Sequence, residues 1–150
     1  MDLFTDATWR LAGAMISGGL VGLNRDMYGK PTGVRMHALV ALGAALLTLT
    51  GAGLDDPGAT SRVIQGIVGG MGFLGAGVIM HGVGTKRPLH LTTAASIWMT
   101  AALGVVCGIG QWRVAVLAVL ATQLILIIGL PIDRKLYGKL GTGGEDDLPG

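Results

Sequence analysis

Five stretches of this chain contain no Lys, Arg, Asp or Glu: residues 11–24, 36–54, 63–85, 88–112 and 114–132. They are 14, 19, 23, 25 and 19 residues long, and about 20 apolar residues are needed to cross a bilayer as a helix. Four suffice as they stand. The first is lengthened by Trp9, Arg10 and Arg25, whose polar tips can sit at the interface while a helix runs from about Phe4 to Asn24. The reading is an all-α membrane protein of five transmembrane helices, with the lipid bilayer as its first partner. Charged residues make up 13% of the chain, about half the roughly 25% of a soluble domain. Disorder is excluded by the mean hydropathy of +0.63, and a disulfide framework by the presence of one cysteine, Cys107.

Basic residues set the expected orientation. Arg25, Lys30 and Arg35 lie between helices 1 and 2, Lys86 and Arg87 between 3 and 4, and Arg134, Lys135 and Lys139 after helix 5. Those segments are expected to be cytoplasmic, which places the N-terminus outside and the C-terminus inside. Asp2 and Asp6 near the start argue against a cleaved signal peptide. The basic balance reads as membrane-orienting, so no nucleic-acid partner is expected. The transmembrane domain is drawn at 1–132. The tail, 133–150, begins with an amphipathic stretch to Leu140 and is otherwise expected to be disordered.

The 27 glycines fall into helix faces. Ala14, Gly18 and Gly22 follow each other at intervals of four, the spacing that lets two helix backbones approach closely. Helix 3 carries Gly66, Gly69, Gly70, Gly72, Gly75 and Gly77 within twelve residues, on every side of the cylinder. Such a helix is either central and contacted all round, or locally unwound against a cavity. Within the run, Gly70-Met-Gly72-Phe-Leu-Gly75 matches a dinucleotide fingerprint but has neither the preceding strand nor the acidic residue that fingerprint needs.

Enzyme chemistry finds little to work with. No Asp or Glu occurs between Asp56 and Asp133, so helices 3 to 5 cannot assemble paired carboxylates, a carboxylate cage for a divalent metal or an acidic proton relay. Cys107 sits among small apolar residues, where an inert thiol is expected. The chain is read as a non-enzyme that needs no cofactor and holds no metal. His37, His81 and His90 all fall at expected cytoplasmic helix ends, either as polar tips or as a metal- or pH-sensing cluster.

Polar residues gather at the expected cytoplasmic mouths. Asn24, Arg25 and Asp26 close helix 1, Arg35 and His37 open helix 2, and His90, Thr92, Thr93 and Ser96 open helix 4 beside Lys86 and Arg87. Thr93, Ser96, Thr100 and Gly104 share one helical stripe. Its hydroxyls either face a neighbour or bond the preceding turn. The helix 4 N-terminus, with its free N–H groups, suits an anion, carboxylate or phosphate. Arg25, Asp26 and Arg35 either contact such a ligand or pair internally to fix the first hairpin. A weak parallel repeat relates helices 1–2 to 3–4 through Gly19-Leu-Val-Gly22 and Gly72-Phe-Leu-Gly75.

Four ordered segments, Gly19 to Asp26, Gly33 to Gly43, Gly72 to Ile79 and Leu91 to Trp98, together resemble the signature blocks of the MgtC/SapB family's transmembrane domain. The resemblance covers about residues 9 to 130. It implies a bacterial inner-membrane protein tied to low-magnesium adaptation and virulence-type survival, and, for the member that names the family, restraint of the F-type ATP synthase. Arg25, Asp26, Arg35, His37, Thr92 and Thr93 match the pattern, whereas Asn24 stands where the family usually has Glu and His90 where it has Gly. Longer members add a soluble ACT-like domain, which is expected to be absent here. Two function classes follow. One is a regulator, homodimeric or larger, that docks onto another membrane complex. The other is a small oligomeric transporter or channel for magnesium or a phosphate-like anion.

Overall fold

The computed structural model describes residues 2–30, 32–80 and 91–140, with backbone alone over 130–140. Every element among them is a helix: α1 (Leu3–Met27), α2 (Val34–Ala52), α3 (Ala59–Met80), α4 (Leu91–Ile109) and α5 (Trp112–Leu140). Four are long and apolar enough to cross a membrane, namely α2, α3, α4 and Trp112–Gly129 of α5. α1 has the length but carries Asp6, Arg10, Arg25 and Asp26 inside its bounds. α5 continues through residue 132 without a break, so the amphipathic stretch to Leu140 extends the last helix. The remainder of the tail, 141–150, lies outside the described residues.

α4 touches all four other helices, and α2 is wedged between it and α1, because small residues let two neighbours press against the α2 backbone. A Cβ on Gly18 of α1 would overlap the His37 carbonyl oxygen, and one on Gly104 of α4 would overlap that of Ala41. One turn further on, a Cβ on Gly108 would lie 2.8 Å from the Ala45 carbonyl oxygen. Three successive turns of α2 thus offer their carbonyls to glycine Cα atoms, at distances where packing and weak Cα–H···O contacts replace the hydrophobic effect that lipid removes. Ala41, Ala45 and His37 are fully buried between α1 and α4. α1 also touches α4, where Ser17 Oγ lies 3.8 Å from the buried Cys107 sulfur.

α3 and α5 flank this core. α5 packs on α4 through Leu103, Val119 and Leu126, and on α1, where Gln123 donates to the Leu20 carbonyl at 2.7 Å and Trp112 covers Gly13. α3 lies against α4 and the edge of α2. Ile97 of α4, fully buried, joins Ala44, Met71, Ala101 and Val105 in the cluster that holds it. The neighbour contacts pair α1 antiparallel to α2 and α4, while α2 and α4 run parallel. Arg25, Val34, His37 and Thr93 therefore share one end of the bundle, and Arg10 and Gly108 share the other.

The glycines of α3 behave unlike those of α1. α3 is one unbroken helix and it is not central. Among the described residues, Gly66, Gly69, Gly70, Gly72 and Gly77 meet nothing within 4 Å, and Gly75 meets only the Ala94 Cβ at 3.9 Å. Both sequence alternatives, contact on all sides and local unwinding, give way to a flanking helix whose outer surface is open. By contrast Ala14, Gly18 and Gly22 are buried, and the last two are spent on α2 of the same chain, not on a second copy.

Candidate functional site

The end of the bundle that holds the α2 and α4 N-termini gathers the buried polar side chains. The path there begins at the α1–α2 connection, where Gly29 and Thr32 take positive φ (59° and 69°) and turn the chain back on itself. Gly33 caps α2 without a side chain to do so. Asp26 substitutes, accepting the Val34 N–H at 2.9 Å. Its carboxylate lies directly over Gly33, in the space where any Cβ at that position would be, so the cap requires glycine there. Asp26→Ala is expected to lower stability by ~1 kcal/mol, the usual cost of losing a helix N-terminal acceptor, as read by thermal unfolding in detergent. Arg35→Ala, on an exposed side chain, should leave the transition in place.

Inside this rim Arg25 is 3% exposed, and its Nη2 donates to Thr93 Oγ1 on α4. Ser96 Oγ lies 2.8 Å from the Thr93 carbonyl and 3.3 Å from His37 Nε2, and His37 Nδ1 donates to the Gly33 carbonyl at 3.1 Å. With the neutral ring's proton on Nδ1, Nε2 is an acceptor, so the single Ser96 hydroxyl proton serves two acceptors. The result is a polar chain from α1 through α4 to α2: Arg25, Thr93, Ser96, His37 and the Gly33 carbonyl. Asn24 is buried next to it in sequence. One turn deeper, Thr100 donates to the Ser96 carbonyl at 2.8 Å, the local use of a hydroxyl that bonds the preceding turn.

The internal pairing of Arg25, Asp26 and Arg35, one of the two alternatives, does not form among the described residues. The ion pairs among the described residues are Arg10 with Asp6 and Arg62 with Asp56. Asp26 is committed to α2, Arg25 turns inward to α4, and Arg35 and Thr92 are exposed. Lys86, Arg87, His81 and His90 lie outside the described residues. No group of three His, Cys, Asp or Glu side chains placed to hold a metal occurs among the described residues. His37 is taken up by Gly33 and Ser96.

Two features escaped sequence reasoning. One is the capping role of Asp26, for which a carboxylate eight residues before Val34 across a Gly-containing turn gives only a faint signal. The other is the packing pair Gly104 and Gly108, whose four-residue interval was as visible as that of Gly18 and Gly22.

A sequence model of the MgtC family matches residues 11–135. Protein SrpB of Synechococcus elongatus is 40% identical over 131 residues, covering 79% of this chain and 72% of that protein. YhiD of Escherichia coli K12, named provisionally as a magnesium transporter, is 37% identical over 142 residues, covering 87% of this chain and 63% of its own. MgtC of Salmonella typhimurium is 43% identical over 108 residues, covering 72% of this chain and 46% of its own. The chain thus spans about two thirds of YhiD and about half of MgtC. No solved structure matches.

Proposed function

This chain belongs to the MgtC family, and from that premise we propose that it is a magnesium-linked regulator that acts in the bacterial inner membrane by docking the open face of α3 onto another membrane complex. The single observation that carries the reading is that face. Gly66, Gly70 and Gly77 line one stripe of α3 with no neighbour among the described residues, beside Phe73, which is 84% exposed. An open groove of about 490 Å³ runs between this stripe and α2, where Gly43 is equally uncovered. Lipid tails are as apolar as any side chain, so a bare glycine stripe gains nothing from lipid, whereas a helix backbone laid on it gains close packing. The partner proposed from the family resemblance is the F-type ATP synthase. The basic end of the bundle, with Arg25, Lys30 and Arg35, is proposed to face the cytoplasm. A magnesium pathway through the helices is disfavoured by the absence of Asp and Glu between positions 56 and 133.

The test pairs photo-crosslinking with transport. A photoreactive side chain at position 73 should yield adducts with membrane subunits of the ATP synthase in cells, and Gly70→Leu, which keeps the fold but fills the stripe, should remove them. Adducts with a second copy alone would reassign the face to self-association. In proteoliposomes no flux of magnesium, potassium, protons or phosphate is expected; flux that Arg25→Ala abolishes would overturn docking in favour of transport.

A further inference from the structure

Arg25 is a buried cation with no counter-charge among the described residues. Removing a guanidinium from water costs several kcal/mol unless an anion and further hydrogen bonds replace the hydration. Here one neutral hydroxyl, that of Thr93, is the described partner, and the buried Nε has none among the described residues. The carboxylate nearest in sequence, Asp26, is bound to the Val34 N–H and forms no ion pair with it. The surroundings add positive potential. Thr93 is the third residue of the 19-residue helix α4, so the guanidinium sits against the first turn of a helix, where N–H groups and the positive dipole end lie. The N-terminus of α2 opens beside it, and Lys30 and Arg35 stand exposed at the same end. Among the described residues, three basic side chains against one acidic one, with two helix N-termini, make a site short of negative charge.

We propose that Arg25 and the first turn of α4 form a binding site for a phosphate-type oxyanion. The unpartnered Nε shares an edge of the guanidinium with Nη2, which carries a second N–H besides the one given to Thr93, and two such donors match two oxygens of a phosphate and not a spherical halide. Thr93 fixes the guanidinium in that pose from α4. Because the site lies at a bundle end, the oxyanion has two possible sources: the headgroup phosphate of an anionic lipid, or inorganic phosphate from the aqueous phase. This site and the open face of α3 are on different elements, and neither depends on the other.

The experiment is thermal unfolding of the full chain, followed by tryptophan fluorescence, in vesicles of phosphatidylcholine or of phosphatidylcholine with phosphatidylglycerol. Each is titrated with sodium phosphate against sodium chloride at equal ionic strength. A midpoint rise of about 4 °C or more is expected from oxyanion binding. A rise caused by phosphate in phosphatidylcholine identifies the free anion as the ligand, and a rise caused by phosphatidylglycerol with no phosphate added identifies the headgroup. Both rises should vanish in Arg25→Gln and shrink in Thr93→Val, which keeps the shape of the threonine. If Arg25→Gln does not fold, Arg25→Lys serves, since it keeps the charge but lacks the two-donor edge; its apparent affinity should fall about tenfold. No shift in either vesicle, or a shift of equal size in the Thr93→Val and Arg25→Lys proteins, overturns the proposal.

Discussion

Gly104→Leu is expected to leave no assembled bundle, while Gly70→Leu leaves it intact. Any Cβ at Gly104 overlaps the backbone of α2 at Ala41, and a backbone cannot rotate away as a side chain can. Nor can α2 retreat, because its other side is pinned by Gly18 of α1 against the His37 carbonyl. Overpacking a core by a methylene or two costs about 1–3 kcal/mol, and a four-carbon side chain thrust into a helix–helix backbone contact exceeds about 4 kcal/mol, the range that marks outright disruption. Against a total stability of about 5–15 kcal/mol, that removes the folded state or most of it. Gly70 has nothing within 4 Å. Size-exclusion profiles and thermal unfolding in a mild detergent read the contrast directly. Equal behaviour of the two variants would mean that the α2–α4 contact is not the one described.

The second large effect is expected at Ile97. It is fully buried and lies where α2, α3 and α4 meet, with Ala44, Met71, Ala101 and Val105 around it. In lipid the transfer part of the hydrophobic effect is small, and what remains is the cavity. At about 24 cal/mol per Å³, a vacated volume on the order of 75 Å³ costs about 2 kcal/mol. The loss should not spread evenly. α3 is held by this cluster and by few other contacts, so Ile97→Ala should loosen α3 while α1, α2 and α4 stay together. Hydrogen exchange should show protection falling in residues 59–80 and holding in residues 91–109. A uniform loss of protection would count against α3 as a separately held helix.

The pattern of charge was enough to read five helices, four of them long and apolar enough to cross a membrane, and to place all but the end of the last to within about five residues, because the bilayer admits few alternatives. α1 ends at Met27, three residues beyond Asn24, and α2 opens at Val34, two before its charge-free window. Partner choice was less legible. Helical glycine spacing says that a close approach is available but not which helix takes it. Gly18 and Gly22 find α2 in their own chain, whereas Gly66 and Gly70, with the same interval, find nothing. The difference lies in their neighbours: α2 offers Ala41 and Ala45 to α1, while no described residue lies against Gly66 and Gly70. Within the site, Arg25, Thr93, Ser96 and His37 were foreseen as residues, and their linkage was not. Two adjacent charges, Arg25 and Asp26, look like a pair in sequence, yet on the last turn of a helix they point to different neighbours.

At the other end of the bundle, Arg10 donates to the Gly108 carbonyl at 2.9 Å while pairing with Asp6. The two partners are 98 residues apart, so a ribosome adding about 5–20 residues per second makes the acceptor roughly 5–20 s after the donor. Until then α1 holds its charged pair at the membrane surface with nothing to clasp. Closure of that contact is consequently a late event of biogenesis. A nascent chain stalled before Gly108 would present an N-terminal helix already packed on α2 through Gly18 and Gly22 but unclasped at its Arg10 end.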